Sequence, residues 1–437
     1  GEMVDQPPHL SMQAEERIQN VFLGDIEYKI NFNNYKTSII TYLATQHTQR
    51  KHFTGVRPEI GTVNDINYLN NPPYGKSTNT TIQTGAQLNH NISQKMITLG
   101  FDYIIDDIID EINTYNYYIN QKVKSLGTFI QSDWNITQNL NLLSGLRIDQ
   151  HSLLNNFIIS PRTSLLYQIN KNTQLRCSYS TGFRAPQSFD TDLHIAFSGG
   201  DVSMIQLSDN LSEEKSTSFS GSLNYNISTM NYYYGFTFES FYTRLNNAFY
   251  LDPIGNDEFG EIFLKRNGEG ATVQGLNIEF RSNFNKKIQL EFGLTYQKSE
   301  YDNAITYSTN LTERKEFLRT PKLYGYTTFD YFINDKINFM ANLVHTGSMD
   351  VVHMAGAPGQ NEDEYLNTEI FNVLGIKATY IQRIQPLALK CEYSIGIKNI
   401  TNDYQQNFDT SKNRDSNFIY GPNSPRMFYF SINLKSL

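Results

Sequence analysis

The chain has 437 residues, long for one ordinary soluble domain, and carries a formal charge of −8, which argues against a nucleic-acid partner. Its two cysteines, Cys177 and Cys391, make no disulfide framework. Apolar residues are 39%, mean hydropathy is −0.47 and aromatics reach 13%, split between 29 Tyr and 28 Phe. No run approaches the ~18 apolar residues of a spanning helix, which leaves a soluble protein or a membrane barrel whose polar lumen lowers the average.

In chain order, the sequence opens at Gly1 with no basic-plus-apolar leader behind it, which reads as a mature, truncated or partial chain. Period-two alternation then dominates. It predicts about seventeen strands, near 18–32, 36–50, 78–91, 96–104, 120–134, 139–149, 158–169, 173–181, 216–228, 231–250, 262–283, 286–298, 319–332, 336–348, 366–382, 387–398 and 426–435. Within 286–298, Ile288, Leu290, Phe292, Leu294 and Tyr296 share one face and Gln289, Glu291, Gly293 and Thr295 the other. One stretch breaks the rule. In "IIDDIIDEI" (104–112) the isoleucines recur at helical spacing, with Asp106, Asp107, Asp110 and Glu111 opposite, so a short helix is expected inside a long loop 105–119. These acids are a candidate Ca²⁺ site beside the plainer reading of a solvated acidic face, since Ca²⁺ needs six or more converging oxygens.

Alternation alone also fits a soluble sandwich. The joints decide between them, because short ones such as 33–35, 92–95 and 170–172 alternate strictly with long ones such as 51–77, 182–215, 349–365 and 399–425. Short turns at one end and long loops at the other define an outer-membrane barrel, and lipid requires that such a sheet close on itself. The fold class is therefore all-β, an antiparallel transmembrane barrel. With the last strand running toward the periplasm, residues 1–17 fall on the extracellular side. Seventeen is odd where single-chain bacterial barrels are even, so the first strands are expected to be missing. Phe292, Leu294, Leu389 and Ile395 are expected to face lipid, and Glu291, Lys390 and Glu392 the lumen.

The strand at 173–181 ends in "YSTGFRAP" (179–186), and the chain returns through "DNLSEEKS" (209–216). Gly182 and Pro186 stop the ladder, and Arg184 is placed to pair with rim acids such as Glu213. This pair, with "GIKNITNDY" (396–404) and "YGPNSPRMFYFSINL" (420–434), resembles the motifs of TonB-dependent outer-membrane receptors, in a form associated with Bacteroidota. The resemblance departs at Asp209 and Ser212, where the family has Pro, and at the "KSL" ending, where the family has an aromatic residue.

What the resemblance implies is a barrel of about 22 strands with a plugged lumen, of which this chain is the C-terminal portion without the plug. It implies a Gram-negative outer-membrane receptor for a scarce solute, a siderophore, haem or cobalamin chelate, energised by the TonB complex through the missing plug. The chain itself is read as no enzyme and as holding no cofactor. By the same resemblance His194, in the loop between the two motifs, is a candidate haem ligand, and His353, beside Met354 in loop 349–365, is a second ligand-binding candidate with Arg184. His47 and His52 match no tight metal spacing. A passive porin and an outer-membrane hydrolase are the alternative classes. A plug upstream would select the receptor, and a leader running straight into strands would select the porin.

Overall fold

A computed structural model of the chain describes residues 6–187, 196–198, 201–258, 260–415 and 417–436. One antiparallel sheet dominates. Its long strands are β1 (Gln13–Phe32), β2 (Thr37–Val56), β3 (Tyr74–Ile92), β4 (Lys95–Ile112), β5 (Tyr117–Asn135), β6 (Leu140–His151), β7 (Ile158–Asn170), β8 (Thr173–Arg184) and β9 (Glu214–Ser228). They continue as β10 (Tyr232–Asn246), β11 (Gly270–Phe284), β12 (Ile288–Ile305), β13 (Leu323–Asn334), β14 (Ile337–Thr346), β15 (Phe371–Ile384), β16 (Leu389–Lys398) and β17 (Met427–Ser436). Each pairs with the next in chain order, so the wall runs strictly up and down. Among the described residues β1 pairs only with β2 and β17 only with β16, so both edges of the sheet are free.

The seventeen strands agree in number with the sequence reading, and so does the alternation of joints. Those at one end are two to four residues long, such as Ser93–Gln94 and Asp335–Lys336. Backbone at positive φ closes the first of them, with Asn33, Asn34 and Tyr35 at 51°, 51° and 65°. Asn tolerates that region because its short polar side chain bonds locally. At the other end lie 57–73, 152–157, 185–213, 247–269, 306–322, 347–370 and 399–426.

One joint at that end is not long. The expected helix at 104–112 is the upper half of β4, and only residues 113–116 turn into β5. Ile at 104, 105, 108, 109 and 112 satisfies helical spacing, but β-branched side chains also suit a strand with apolar residues on both faces. The ladder decides, because β4 keeps register with β3 and β5 up to Glu111 and Ile112. Ile112, Tyr115 and Tyr117 then cap the hairpin as a small core against Val56 and Ile119, and the Tyr115 hydroxyl donates to the Thr54 carbonyl at 2.9 Å.

Cross-strand rows fix the two faces. Leu223, Phe238, Ile278 and Leu294 stand opposite one another on β9–β12, and the next row is Tyr225, Phe236, Phe280 and Phe292. The intervening row on the other face is Asn224, Thr237, Glu279 and Gly293. The apolar face is the lipid side and the polar face the lumen. Leu294, Phe292, Leu389 and Ile395 fall on the first, and Glu291, Lys390 and Glu392 on the second. On the lumenal face five aromatic rings lie directly across from glycines: Tyr42 over Gly85, Phe129 over Gly100, Phe241 over Gly275, Tyr326 over Gly293 and Tyr429 over Gly396. A Cβ at Gly100 would stand 2.5 Å from the Phe129 ring, so the missing side chain lets the ring lie flat on the wall.

Candidate functional site

The chemistry-bearing residues gather at the long-loop end. Loop 347–370 contains a small hairpin, Asp350–His353 with Glu364–Asn367, which docks on loop 399–426. Met349, Val351 and Phe418 form its core, with Leu366 and Tyr420 packed against them. The His353 ring stacks on Phe418 with centroids 3.7 Å apart and planes 11° from parallel. Its Nε2 is 3.0 Å from both Asp409 carboxylate oxygens. Next to it, the Met354 and Asn417 amides donate to Asp415 at 3.0 and 2.8 Å. Burial nonetheless raises the Asp415 carboxyl above the usual range, against the lowering effect of those amides, of His353 and of Arg319. Arg319 itself donates to the Ile419 carbonyl at 2.9 Å and to the Asn417 carbonyl, and burial lowers its guanidinium.

Two more loops reach the same unit. Ser308 donates to Asp363 at 2.5 Å, and the Asn310 side chain and Ala355 amide do so at 3.1 and 2.8 Å. Glu261, from the hairpin in loop 247–269, has its carboxyl raised by burial and then by the charge of Asp363. An aromatic group lines this region. Tyr301 lies 4.3 Å from Phe317 between centroids, Tyr307 lies 6.4 Å from Tyr365 edge-on, and the Arg314 guanidinium sits 3.8 Å above the Tyr365 ring. The phenols are pinned, since Tyr307 donates to the Glu316 carbonyl and Tyr365 to the Thr312 carbonyl, both at 2.7 Å. Burial raises the Tyr307 hydroxyl well above its ordinary value, so it stays neutral. Beside the same unit a cavity of 510 Å³ opens between the start of β1 and loop 399–426, lined by Phe408, Arg414, Phe418 and Ile419 among others.

The residues singled out from the sequence are not brought together. His194 lies outside the described residues. His353 is 7% exposed and is engaged by Asp409 and Phe418, so it holds two loops together rather than presenting a free ring nitrogen at the surface. Arg184 ends β8 opposite Glu214, with its guanidinium 5.6 Å from the Phe249 ring, and Glu213 is bound to Lys215 at 2.8 Å. The four acids of 104–112 are a correction, because a strand sends alternate side chains to opposite faces. Asp106 and Asp110 face the lumen, the first accepting from Thr81 at 2.7 Å and the second 2.9 Å from His52. Asp107 and Glu111 face outward, with Asp107 bound to Lys122 at 2.8 Å. Six oxygens cannot converge from there, and among the described residues no group of three or more His, Cys, Asp or Glu is arranged to hold a metal ion.

Sequence reasoning passed over Asp409, Asp415 and Phe418, which lie 56 to 65 residues from His353 and carry no local pattern. It also passed over a lumenal network in which Arg147 bridges Asp102 at 3.0 Å and Asp149 at 2.8 Å, with Tyr42 donating to Asp102.

A wall of up-and-down strands with an apolar outer face, a polar inner face and every long loop at one end is that of an outer-membrane β-barrel. The chain belongs to the TonB dependent receptor-like, beta-barrel family, whose model matches residues 14–400. It is similar in fold to the ferric enterobactin receptor of Pseudomonas aeruginosa, with TM-score 0.70 and 15% identity over 97% of this chain and 62% of that one. The siderophore receptor of Acinetobacter baumannii gives TM-score 0.68 and 13% identity over 97% and 63%. The ferric-catecholate import receptor of E. coli gives 0.68 and 14% over 96% and 64%. The chain thus spans less than two thirds of the length of these receptors. No curated protein matches it.

Proposed function

We propose that this chain is the ligand-facing wall of a TonB-dependent receptor that takes up a ferric chelate across the outer membrane. The observation that carries the reading is the neutral aromatic group Tyr301, Phe317, Tyr307 and Tyr365 with Arg314 at the extracellular mouth. Aromatic faces stack on flat ligand rings and a guanidinium offers a charge to an anionic chelate. A catecholate siderophore presents both features. Haem is less well served, because His353 is already bound and His194 is supported only by the resemblance. The free edges of β1 and β17 cannot stand open in lipid. Further strands, about five if the family count of 22 holds, would close the wall. A plug in the polar lumen would couple the closed barrel to the TonB complex.

The test is titration of the full-length receptor with a ferric catecholate and, separately, with haem. Arg314→Ala and Tyr365→Ala should each weaken catecholate binding roughly tenfold, on the scale of a lost cation–π or stacking contact. His194→Ala should leave it unchanged. Haem binding that is lost in His194→Ala, with no catecholate binding in the wild type, would overturn the reading.

A further inference from the structure

Two neighbouring long loops dock on one another above β8–β11. Loop 247–269 folds into a hairpin, Phe249–Asn256 against Glu261–Asn267. The strand Asp201–Leu207 of loop 185–213 adds to it in parallel, with Met204 to Leu207 opposite Ile262 to Lys265. The Ser208 amide extends the contact to the Lys265 carbonyl at 3.1 Å. Beyond that point a side chain replaces the ladder. The Asn267 carboxamide lies against the backbone of Ser212, inside the returning "DNLSEEKS" stretch. Its Oδ1 accepts from the Ser212 amide at 2.8 Å and from the Ser212 hydroxyl at 3.4 Å. Its Nδ2 donates to the Ser212 carbonyl at 3.1 Å and to the Asn247 carbonyl at 2.8 Å. One carboxamide thus ties the end of loop 185–213 to both ends of loop 247–269.

The tie depends on an amide. A carboxylate at the same place has no N–H to give and sets an anionic oxygen against two carbonyl oxygens. The sequence puts this demand on a labile residue, because Asn267–Gly268 is the one Asn-Gly step in the chain. Glycine has no Cβ to keep its backbone nitrogen away from the preceding side chain. In the docked state the reaction is held back, since the Gly268 amide donates to the Ala248 carbonyl at 2.7 Å and the carboxamide is held at both ends. Opening of the loops frees both groups.

We propose that Asn267 is a deamidation site and that its conversion unlatches loop 185–213 from the hairpin permanently. The Gly268 nitrogen bonds to the Asn267 Cγ, the Cγ–Nδ2 bond breaks, and the Gly268 proton leaves, through water, with the departing ammonia. Water then opens the resulting succinimide at either carbonyl, giving aspartate or isoaspartate. Either product lacks the two N–H donors. Isoaspartate also adds a methylene to the backbone where Asn267 pairs with Phe249. Each opening of the latch therefore carries a chance of becoming irreversible. The inference needs no particular ligand at the mouth.

The experiment ages the full-length receptor in mildly alkaline buffer, folded or in urea. Peptide mass mapping follows residue 267, and limited chymotrypsin digestion follows cleavage within 201–215. Heat-modifiable migration on gels reports the folded wall in the same samples. Residue 267 should convert in both samples, faster in urea, and the converted fraction of the folded sample should be the fraction cut. Unaged Asn267→Asp should be cut about tenfold faster or more than the wild type, as expected for two lost donors. Asn256→Asp, at the exposed tip of the same hairpin, should be cut at the wild-type rate. Gly268→Ala keeps the carboxamide, and its added Cβ meets nothing nearer than 3.4 Å, so after ageing it should stay amidated and resist cleavage. An unconverted Asn267 in the aged wild type, wild-type cleavage of Asn267→Asp, or equal cleavage of aged Gly268→Ala and aged wild type would each overturn the proposal. Should Asn267→Asp not fold, cleavage of the aged wild type in proportion to its conversion decides the matter.

Discussion

The first five strands and the last five build the same end of the wall by different means. β1 to β5 run 18 to 20 residues, whereas β13 to β17 run 10 to 14. At about 3.3 Å per residue the first set is some 60 Å long and the second some 33–46 Å, and both cross the same hydrocarbon layer. The early strands continue above it as a ladder and close through a four-residue turn over Tyr115. The late strands leave the ladder, and their loops fold on one another through Phe418, His353, Asp409 and Asp415. A ladder is held by many repeated backbone bonds and is tolerant of any one side chain. The loop unit depends on a few buried polar contacts, each costly to break.

The two regions share only the apolar band, so the largest losses are expected there. Leu99→Arg in the early sector and Leu294→Arg beyond it should each cost about 2–4 kcal/mol, while Gln289→Arg on the lumenal face should cost little. Urea unfolding in lipid vesicles checks this, and equal costs at Leu294 and Gln289 would break the assignment of faces. Next come the glycines of the wall, Gly275 on its lumenal face and Gly221 on its outer face. A Cβ at Gly275 would overlap the Tyr296 carbonyl, whereas one at Gly221 meets nothing nearer than 4.0 Å. Gly275→Ala should therefore destabilise by about 1–3 kcal/mol and Gly221→Ala by much less. Loop contacts should show a smaller and local effect. His353→Ala should ease opening of the docked loops by about 1–3 kcal/mol, seen as faster proteolysis near residues 409–418 with the melting of the strands unchanged. Smallest of all, Asp107→Asn on the early hairpin removes a solvent-exposed pair and should cost under about 1 kcal/mol.

Acidity should separate the regions further. Burial raises the carboxyls of Asp415 and Glu261, so the folded loops hold those protons more tightly than the opened ones. The resulting stability is full below the ordinary carboxyl pKa of about 4 and is lost as pH rises through the raised folded values. Amide exchange around Asp415 in loop 399–426 and around Glu261 in loop 247–269, corrected for intrinsic rates, should show protection falling as pH rises from about 4 toward neutrality. An opposite trend would remove the link between those two acids and docking.

The wall was legible because its signal repeats. Alternation gave the strands, and the order of short and long joints gave the two ends. The upper half of β4 was misread because it stands above the lipid, where Ile108 and Ile112 are buried on one face and Ile109 is 38% exposed on the other, so alternation fades into a pattern that also fits a helix. The pairing of His353 with Asp409 and Phe418 was illegible for a different reason. Contacts between loops depend on how distant segments dock, and nothing in the local sequence records that. The rings laid over Gly85, Gly100 and Gly293 depend on register, which appears only when two strands are set side by side.

The central claim is that one continuous wall puts every long loop on one side of the outer membrane and every short turn on the other. It is tested most directly by cysteine labelling of the full-length receptor on intact cells, with Cys177 and Cys391 first replaced by Ser. Ser411→Cys in loop 399–426 and Asn116→Cys at the tip of the β4–β5 hairpin should react with an impermeant maleimide. Asp335→Cys and Asn172→Cys in the short turns should react only after the cells are permeabilised. Equal labelling of Ser411→Cys and Asp335→Cys on intact cells would contradict the account.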